Sequence, residues 1–263
     1  MKKLAINLPP KFAFYPTKLT PRDEVLSLLR DLAPLETEHP LIRLGGDGDG
    51  GYLLPDDLDG LTACFSPGVD VNSTFELDCA TRGMEVFMAD ASVGGPAENH
   101  ERFHFQRKFI GSFTSDPYIS MQDWVDSTPA SDEGDLLLQM DIEGYEWETL
   151  FSMSTDLMNR FRVIVIELHK LENLFSDAIF PILSRCLRKI LHTHDCVHIH
   201  PNNIAPLVKS RGIEIPWFCE FTFLRKDRIT RRKPATQFPH PLDCDCDPSA
   251  PPVVLPELWR PAS

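Results

Sequence analysis

One segment near the middle of the chain most constrains what it can fold into. Residues 136–140 read Leu-Leu-Leu-Gln-Met, a short apolar run typical of a strand buried on both faces of a parallel sheet. The run stops at Asp141, and Glu143 and Glu146 follow at once, ahead of an apolar helical pattern. Three carboxylates therefore crowd the carboxyl end of a predicted central strand, where open α/β sheets bind ligands. The alternative is an ordinary strand-to-helix turn, because acidic residues also suit the start of a helix.

A second unit of strand, turn, helix and strand comes earlier in the chain. Residues 61–70 predict a strand that ends in a turn at Gly68, and residues 84–89 predict the next strand. Between them, Ser73 and Glu76 have the Ser-x-x-Glu spacing of a capping box, which predicts a helix start. Asp90 follows the second strand about twenty residues after the turn, where βαβ nucleotide-binding units place an acid that binds a ribose. The turn has one glycine where the dinucleotide pattern has three, which argues against NAD and leaves an adenosine-containing ligand.

Further strands alternate with helices along the chain. Residues 162–169 are apolar up to Glu167 and His169, which we expect to share one face of a strand. Residues 171–191 have helical periodicity, and Pro181 is expected to kink or split that helix. Alternation of this kind predicts a three-layer α/β fold. We divide the chain into an N-terminal arm and helix (1–40), a main domain (41–230) and a proline-rich tail packed on or near it (231–263).

Composition excludes several classes of function. The 263 residues carry a net charge of −13, which argues against nucleic acid or an anionic membrane as the main partner because both attract basic surfaces. No stretch approaches the roughly 18 apolar residues of a membrane span, and we see no signal peptide. The seven cysteines are scattered and odd in number, which predicts a reduced, cytoplasmic protein.

Several motifs together resemble the FkbM-type S-adenosylmethionine-dependent methyltransferases. The residues that carry the resemblance are 50–55, 65–68, 73–76, Asp90, Met140-Asp-Ile-Glu-Gly-Tyr-Glu146, 167–169 and 198–203. The resemblance implies a class I methyltransferase-like, Rossmann-like fold: a three-layer α/β sandwich with a mostly parallel seven-strand sheet. It also implies S-adenosylmethionine as cofactor and a small-molecule acceptor, such as a sugar or secondary metabolite, that is methylated on a hydroxyl oxygen.

The resemblance also assigns candidate roles to residues. Gly68 would approach the methionine part of the cofactor, and Asp90 would hold the ribose hydroxyls. Ser73, Glu76 and Asp141 complete the predicted cofactor-binding set.

An acceptor hydroxyl must lose a proton, and the residues offer two routes. In one route, His169 or His198 is a general base, with Asp141 as a third catalytic candidate. In the other, Asp141, Glu167 and His169 hold a divalent metal ion that coordinates the hydroxyl.

Two other functions remain open from the sequence. The same acid and histidine residues could form a metal-dependent hydrolase that activates water. The turn at residues 66–70 departs from the small-residue turn of the family, which favours a third reading as a non-catalytic binding module on a degenerate methyltransferase fold.

Overall fold

The computed structural model of the chain describes residues 17–69, 71–131 and 134–261. Residues 1–16 of the predicted N-terminal arm, and Asp70 of the predicted turn, lie outside these ranges. The helices are α1 (Arg22–Asp31), α2 (Thr74–Thr81), α3 (Met121–Asp126), α4 (Glu146–Ser152), α5 (Thr155–Arg160) and α6 (Phe180–Thr193). Short 3₁₀ turns lie at Pro129–Ser131, Leu171–Phe175, Lys226–Arg228 and Glu257–Trp259. Within the described ranges, no helix combines the length and apolar character needed to cross a membrane.

Fifteen strands are present in the described part of the chain. They are β1 (Leu35–Glu36), β2 (Leu41–Leu44), β3 (Tyr52–Pro55), β4 (Leu61–Pro67), β5 (Glu85–Ala89), β6 (Phe103–Gln106), β7 (Phe109–Gly111), β8 (Tyr118–Ser120), β9 (Asp135–Met140), β10 (Phe161–Leu168), β11 (His194–Pro201), β12 (Leu207–Ser210), β13 (Ile213–Pro216), β14 (Cys219–Arg225) and β15 (Lys233–Pro234).

Seven of these strands form one central sheet in the order β11–β14–β10–β9–β4–β5–β6. β14 runs antiparallel to both of its neighbours, and the other pairs are parallel. Along the chain, β4 comes first, β5 and β6 follow on one side of it, and β9 is then added on its other side. The predicted fold class, a three-layer α/β sandwich with a mostly parallel seven-strand sheet, is confirmed.

The central strands are mostly apolar because both faces of the sheet are covered. In β9, Leu136 and Leu138 enter the core on one face, whereas Leu137 enters the core on the other. In β10, Ile164 and Val165 divide between the two faces in the same way. The period of two along each strand therefore supplies both cores from one continuous apolar run.

Helices cover one face, and a helix with a hairpin covers the other. Leu150 of α4, Leu157 of α5 and Leu187 of α6 pack in one buried cluster. Phe75 of α2 and Tyr52 of the β2–β3 hairpin belong to the opposite cluster. Residues 41–55 form this hairpin, with Leu41 opposite Pro55 and Leu44 opposite Tyr52.

Pro181 splits the long helix expected over residues 171–191. Residues Leu171–Phe175 form a 3₁₀ turn, and α6 begins at Phe180 with Pro181 in its first turn. Proline suits this position because it lacks an N–H that would have no partner there.

The C-terminal segment packs against the same core as the N-terminal helix. β15 pairs antiparallel with β1, and the side chains of Leu255 and Trp259 are buried in the core cluster that includes Leu28 of α1. The Trp259 indole N–H donates to the carbonyl of Glu214, 2.8 Å away. This segment is therefore part of the packed body and not a free extension.

Candidate active site

A cavity of about 630 Å³ opens at the carboxyl ends of β4, β5 and β9. This is the point where the strand order reverses, since the chain leaves β4 towards β5 and later returns to its other side at β9. Doubly wound sheets bind ligands at such a point, and the volume lies in the range of small-molecule sites. The side chains or backbone of Asp49, Gly50, Tyr52, Gly68, Val69, Val71, Asn72, Phe75, Glu76, Ala89, Asp90, Ser92, Phe109, Ile110, Tyr118, Gln139, Asp141, Ile142, Glu143 and Tyr145 line it.

Gly68 forms the turn that ends β4 at the wall of the cavity. Its φ is +87°, a left-handed conformation that side chains disfavour, and its N–H donates to the carbonyl of Ala89 over 3.1 Å. A Cβ at this position would lie 1.6 Å from the carbonyl oxygen of Asp141. Glycine is therefore required here because the backbones that end β4 and β9 meet.

Asp90 follows β5 and is held by several hydrogen bonds. One carboxylate oxygen accepts the Val69 N–H at 3.2 Å, and the other accepts the N–H and hydroxyl of Ser92 at 2.7 and 2.6 Å. The residue is 8% exposed and lines the cavity. A carboxylate has about four acceptor positions, so Asp90 retains capacity for a ligand hydroxyl. Its predicted role in ribose binding stays a prediction.

Ser73 and Glu76 do not form the capping box that their spacing predicts. Ser73 stands at the start of α2, but its hydroxyl accepts the N–H of Glu98 at 2.9 Å. The helix start is instead capped by Asn72, whose side-chain oxygen accepts the Thr74 N–H at 3.1 Å.

The Glu76 carboxylate lies in the interior, where a residue of the central sheet donates a hydrogen bond to it. The Ser66 hydroxyl in β4 donates to Glu76 in the buried interior and also lies 2.6 Å from Gln139 Oε1. Burial raises the pKa of Glu76, and the Ser66 hydrogen bond only partly offsets this. Glu76 borders the cavity, whereas Ser73 is not among the lining residues of the described chain.

Asp141, Glu143 and His169 meet at the ends of β9 and β10. His169 Nε2 lies 3.9 Å from Asp141 Oδ1 and 3.5 Å from Glu143 Oε2. One ligand atom from each residue lies within 4.8 Å of the other two. Asp141 and Glu143 line the cavity. These three side chains, which we call the end-of-strand cluster, are an imidazole and two carboxylates that could together hold a divalent metal ion.

Electrostatic coupling shifts the pKa values in this cluster. Burial, reinforced by the negative charge of Glu167, raises the pKa of Asp141 well above its usual range. Burial lowers the pKa of His169, but the hydrogen bond and charge of Glu146 and the charge of Asp141 outweigh it and raise that pKa to about 9. The carboxylates around the imidazole thus raise its affinity for a proton.

Glu167 lies beside the end-of-strand cluster and is not one of its members. It stands opposite Glu220 of β14 and accepts a hydrogen bond from Asn202 Nδ2 at 3.0 Å. Burial and the charge of Glu220 raise the pKa of Glu167 to about 7. The geometry therefore brings Glu143 rather than Glu167 to Asp141 and His169, and the predicted metal role of Glu167 stays a prediction. β10 ends at Leu168, so His169 lies just beyond the strand that carries Glu167.

His198 lies in a separate group. It is buried in β11, and its Nε2 is 2.9 Å from Asp243 Oδ1. His200 Nδ1 lies 3.4 Å from the other oxygen of Asp243, and these histidines lower the pKa of Asp243 against the opposing effect of burial. Neither His169 nor His198 is among the described residues that line the cavity, but His169 lies beside Asp141 and Glu143, which do line it. Asp243 comes from the C-terminal segment, which no local sequence signal links to β11.

Comparisons with known proteins give little guidance. No protein-family model matches the chain, and no curated protein matches it. Among solved structures, it is similar to magnesium protoporphyrin IX methyltransferase from Synechocystis PCC 6803 with bound SAH. That likeness has 12% sequence identity and a TM-score of 0.32, and it covers 65% of this chain and 76% of that one. Functional conclusions about this chain therefore depend on its own cavity and side chains.

Proposed function

We propose that the protein is an S-adenosylmethionine-dependent methyltransferase that methylates a hydroxyl oxygen of a small molecule. The observation that carries the proposal is the cavity at the switch point of the sheet, with Gly68, Asp90 and Asp141 at the ends of three neighbouring strands. The FkbM-type resemblance assigns cofactor roles to these same positions. A cavity of about 630 Å³ has room for a nucleoside cofactor together with part of an acceptor.

Residues at the ends of the three strands would contact different parts of the cofactor. Asp90 would accept hydrogen bonds from the ribose hydroxyls, because its carboxylate is fixed and borders the cavity. Gly68 would allow the methionine part to approach the backbone closely, because it has no side chain. Glu76 lies deeper and is occupied by Ser66, so we assign it a supporting role in shaping the wall.

The reaction would occur at the Asp141 side of the cavity. S-adenosylmethionine held beside Gly68 and Asp90 would supply a methyl group that the acceptor oxygen could take, with the C–S electron pair left on sulfur. The hydroxyl proton must leave, and Asp141 is placed to receive it. Because burial and Glu167 raise its pKa, the Asp141 carboxylate is a stronger base than an ordinary aspartate. His169 Nε2 lies 3.9 Å from Asp141 Oδ1 and would stabilise the Asp141 charge, whereas His198 is paired with Asp243.

The net charge and the cysteines support a type of acceptor and a cellular location. The net charge of −13 favours a small-molecule acceptor over nucleic acid or an anionic membrane. All seven cysteines are free, which supports the proposed cytoplasmic location, where thiols stay reduced.

A metal-dependent hydrolase is the second candidate, and the end-of-strand cluster is the observation that favours it. Three ligands around a metal could activate a water molecule. That function would give Asp90 and the remainder of the cavity no role, so we favour the methyltransferase.

Calorimetric titration with S-adenosylmethionine tests the proposal. We expect micromolar binding by the wild-type chain. Asp90→Ala should weaken binding tenfold or more, because each lost charge-assisted hydrogen bond is worth about 1.5–3 kcal/mol. Asp156→Ala removes an exposed aspartate in the first turn of α5, outside the cavity lining, and should bind like the wild type. Folded wild-type protein that does not bind the cofactor would refute the assignment. Tight binding without methyl transfer to any hydroxyl acceptor would favour a binding module.

A further inference from the structure

We propose that Asp141, Glu143 and His169 bind a first-row divalent cation such as Mn²⁺ at the Asp141 side of the cavity. The three donors come from the end of β9, the turn after it and the end of β10. They converge without a neutralising arginine or lysine in any ion pair that the described chain makes to Asp141 or Glu143.

The orientation of His169 is the first support. Glu146 is fully buried, and its Oε1 accepts the N–H groups of Ile142 and Gly144, each at 3.0 Å. The same oxygen lies 3.1 Å from His169 Nδ1. A carboxylate that holds one imidazole nitrogen leaves the other available as a ligand, which is the arrangement found behind metal-bound histidines. His169 Nε2 accordingly points at the two carboxylates of the cluster.

The backbone of Glu143 is the second support. Its φ is +57°, a left-handed conformation that is uncommon for a residue with a side chain. The side chain is 88% exposed, yet its carboxylate lies 3.5 Å from His169 Nε2. Strained backbone that places an exposed acid beside a buried histidine is typical of a functional site.

The third support is an unsatisfied atom of Asp141. Its Oδ1 is buried and has no hydrogen-bond partner among the described residues, and it faces His169 Nε2. A buried oxygen of this kind normally has a partner, and a cation would supply one. His169 itself is more than nine-tenths buried, so the site combines a buried imidazole with one partly buried and one exposed carboxylate.

The donor set selects the type of cation and suggests the acceptor. One imidazole and two carboxylates suit Mn²⁺, Fe²⁺ or Zn²⁺ better than Ca²⁺, which prefers oxygen ligands alone. Three protein ligands leave open positions towards the cavity. On the basis of the proposed methyl transfer, those positions would take a hydroxyl and a second oxygen beside it, as in a vicinal diol or an α-hydroxy acid. Coordination would lower the pKa of that hydroxyl and hold it in place, and Asp141 would bind the cation through Oδ1 with Oδ2 left to accept the hydroxyl proton.

Direct metal binding tests the inference without reference to activity. Purified full-length protein is treated with EDTA, desalted and titrated with MnCl₂ by calorimetry, with loss of the free Mn²⁺ electron-paramagnetic-resonance signal as a second readout. We expect one site, weakened at least tenfold by Glu143→Gln and by His169→Gln. Glu146→Gln should weaken it 10- to 100-fold, as is typical when the support of a ligand histidine is removed. Glu148→Gln, an exposed glutamate in the same first turn of α4, should bind like the wild type.

Glu143→Gly separates a ligand role from a structural one. It removes the carboxylate and also relieves the left-handed backbone, so it should melt no lower than the wild type while it loses Mn²⁺ binding. If the wild type takes up no Mn²⁺, or if both Glu143 variants bind it unchanged, the inference is wrong. Titration with S-adenosylmethionine after EDTA treatment distinguishes the two proposals. Cofactor binding without metal binding would overturn only the metal site, and metal binding without cofactor binding would overturn only the methyltransferase.

Discussion

Substituting Gly68 with alanine should damage both the fold and the cofactor site. Gly68 has a φ of +87°, and left-handed backbone costs a residue with a side chain roughly 1–2 kcal/mol. Its new Cβ would also lie 1.6 Å from the Asp141 carbonyl oxygen. Because Cβ atoms are not found closer than 3.0 Å to such neighbours, the oxygen would have to move by about 1.4 Å. Forcing an atom into packed structure typically costs about 1–3 kcal/mol more. We therefore expect the free energy of unfolding to fall by about 2–5 kcal/mol.

Gly83→Ala is the matched control for the backbone contribution. Gly83 follows α2 with a φ of +94°, and a Cβ there would meet no described atom within 4 Å. Alanine at this position should cost only the left-handed conformation, about 1–2 kcal/mol. The difference between the two variants isolates the clash with Asp141.

Urea unfolding followed by tryptophan fluorescence measures both variants, and calorimetry with S-adenosylmethionine is run on each under folding conditions. Gly68→Ala should unfold at clearly lower urea than Gly83→Ala and bind the cofactor more weakly, because the displaced Asp141 backbone borders the cavity. Equal urea midpoints and equal cofactor affinities for the two variants would show that the ends of β4 and β9 do not meet as described.

Two further predictions concern the remainder of the fold. Burial outweighs nearby cations and raises the pKa of Glu220 from 4.5 to about 7. The folded state therefore binds this proton more tightly than the unfolded state does. The free energy of unfolding should fall by up to about 3 kcal/mol as pH rises from 4.5 through 7. In urea titrations at pH 5 and pH 8, Glu220→Gln should reduce this fall, and the surface variant Glu214→Gln should not. Trp259→Ala should destabilise the chain by about 3–5 kcal/mol in thermal or urea unfolding because the indole is fully buried. Leu258→Ala, at a residue that is 37% exposed, should cost about 0.5 kcal/mol. A normal unfolding midpoint for Trp259→Ala would mean that the C-terminal segment is not anchored.

Much of the sheet could be predicted from local sequence. The apolar runs of β9 and β10 required burial on both faces, and a parallel sheet with layers on either side is the arrangement that provides it. Gly68 and Asp90 could be identified because one marks a turn and the other ends the following strand. Such signals are local: they depend on periodicity and on the backbone freedom of single residues.

The local rules failed where distant residues compete for the same side chain. Ser73 and Glu76 have the spacing of a capping box, but Glu76 takes its hydrogen bond from Ser66 in β4. The sequence made His198 a candidate general base, yet His198 faces Asp243 from the C-terminal segment. Neither partner can be found by spacing, because each lies on another element that only folding brings near.

The sequence by itself determined the strands, the α/β alternation and the carboxylate-rich end of β9, because periodicity and glycine placement act within a few residues. Only the tertiary structure decided that Glu143 rather than Glu167 joins Asp141 and His169. That choice depends on the left-handed backbone at Glu143, which follows β9, and on the position of His169 directly after β10. Both features arise where two strands end side by side, so the composition of the cluster follows from three-dimensional convergence and not from the order of residues along the chain.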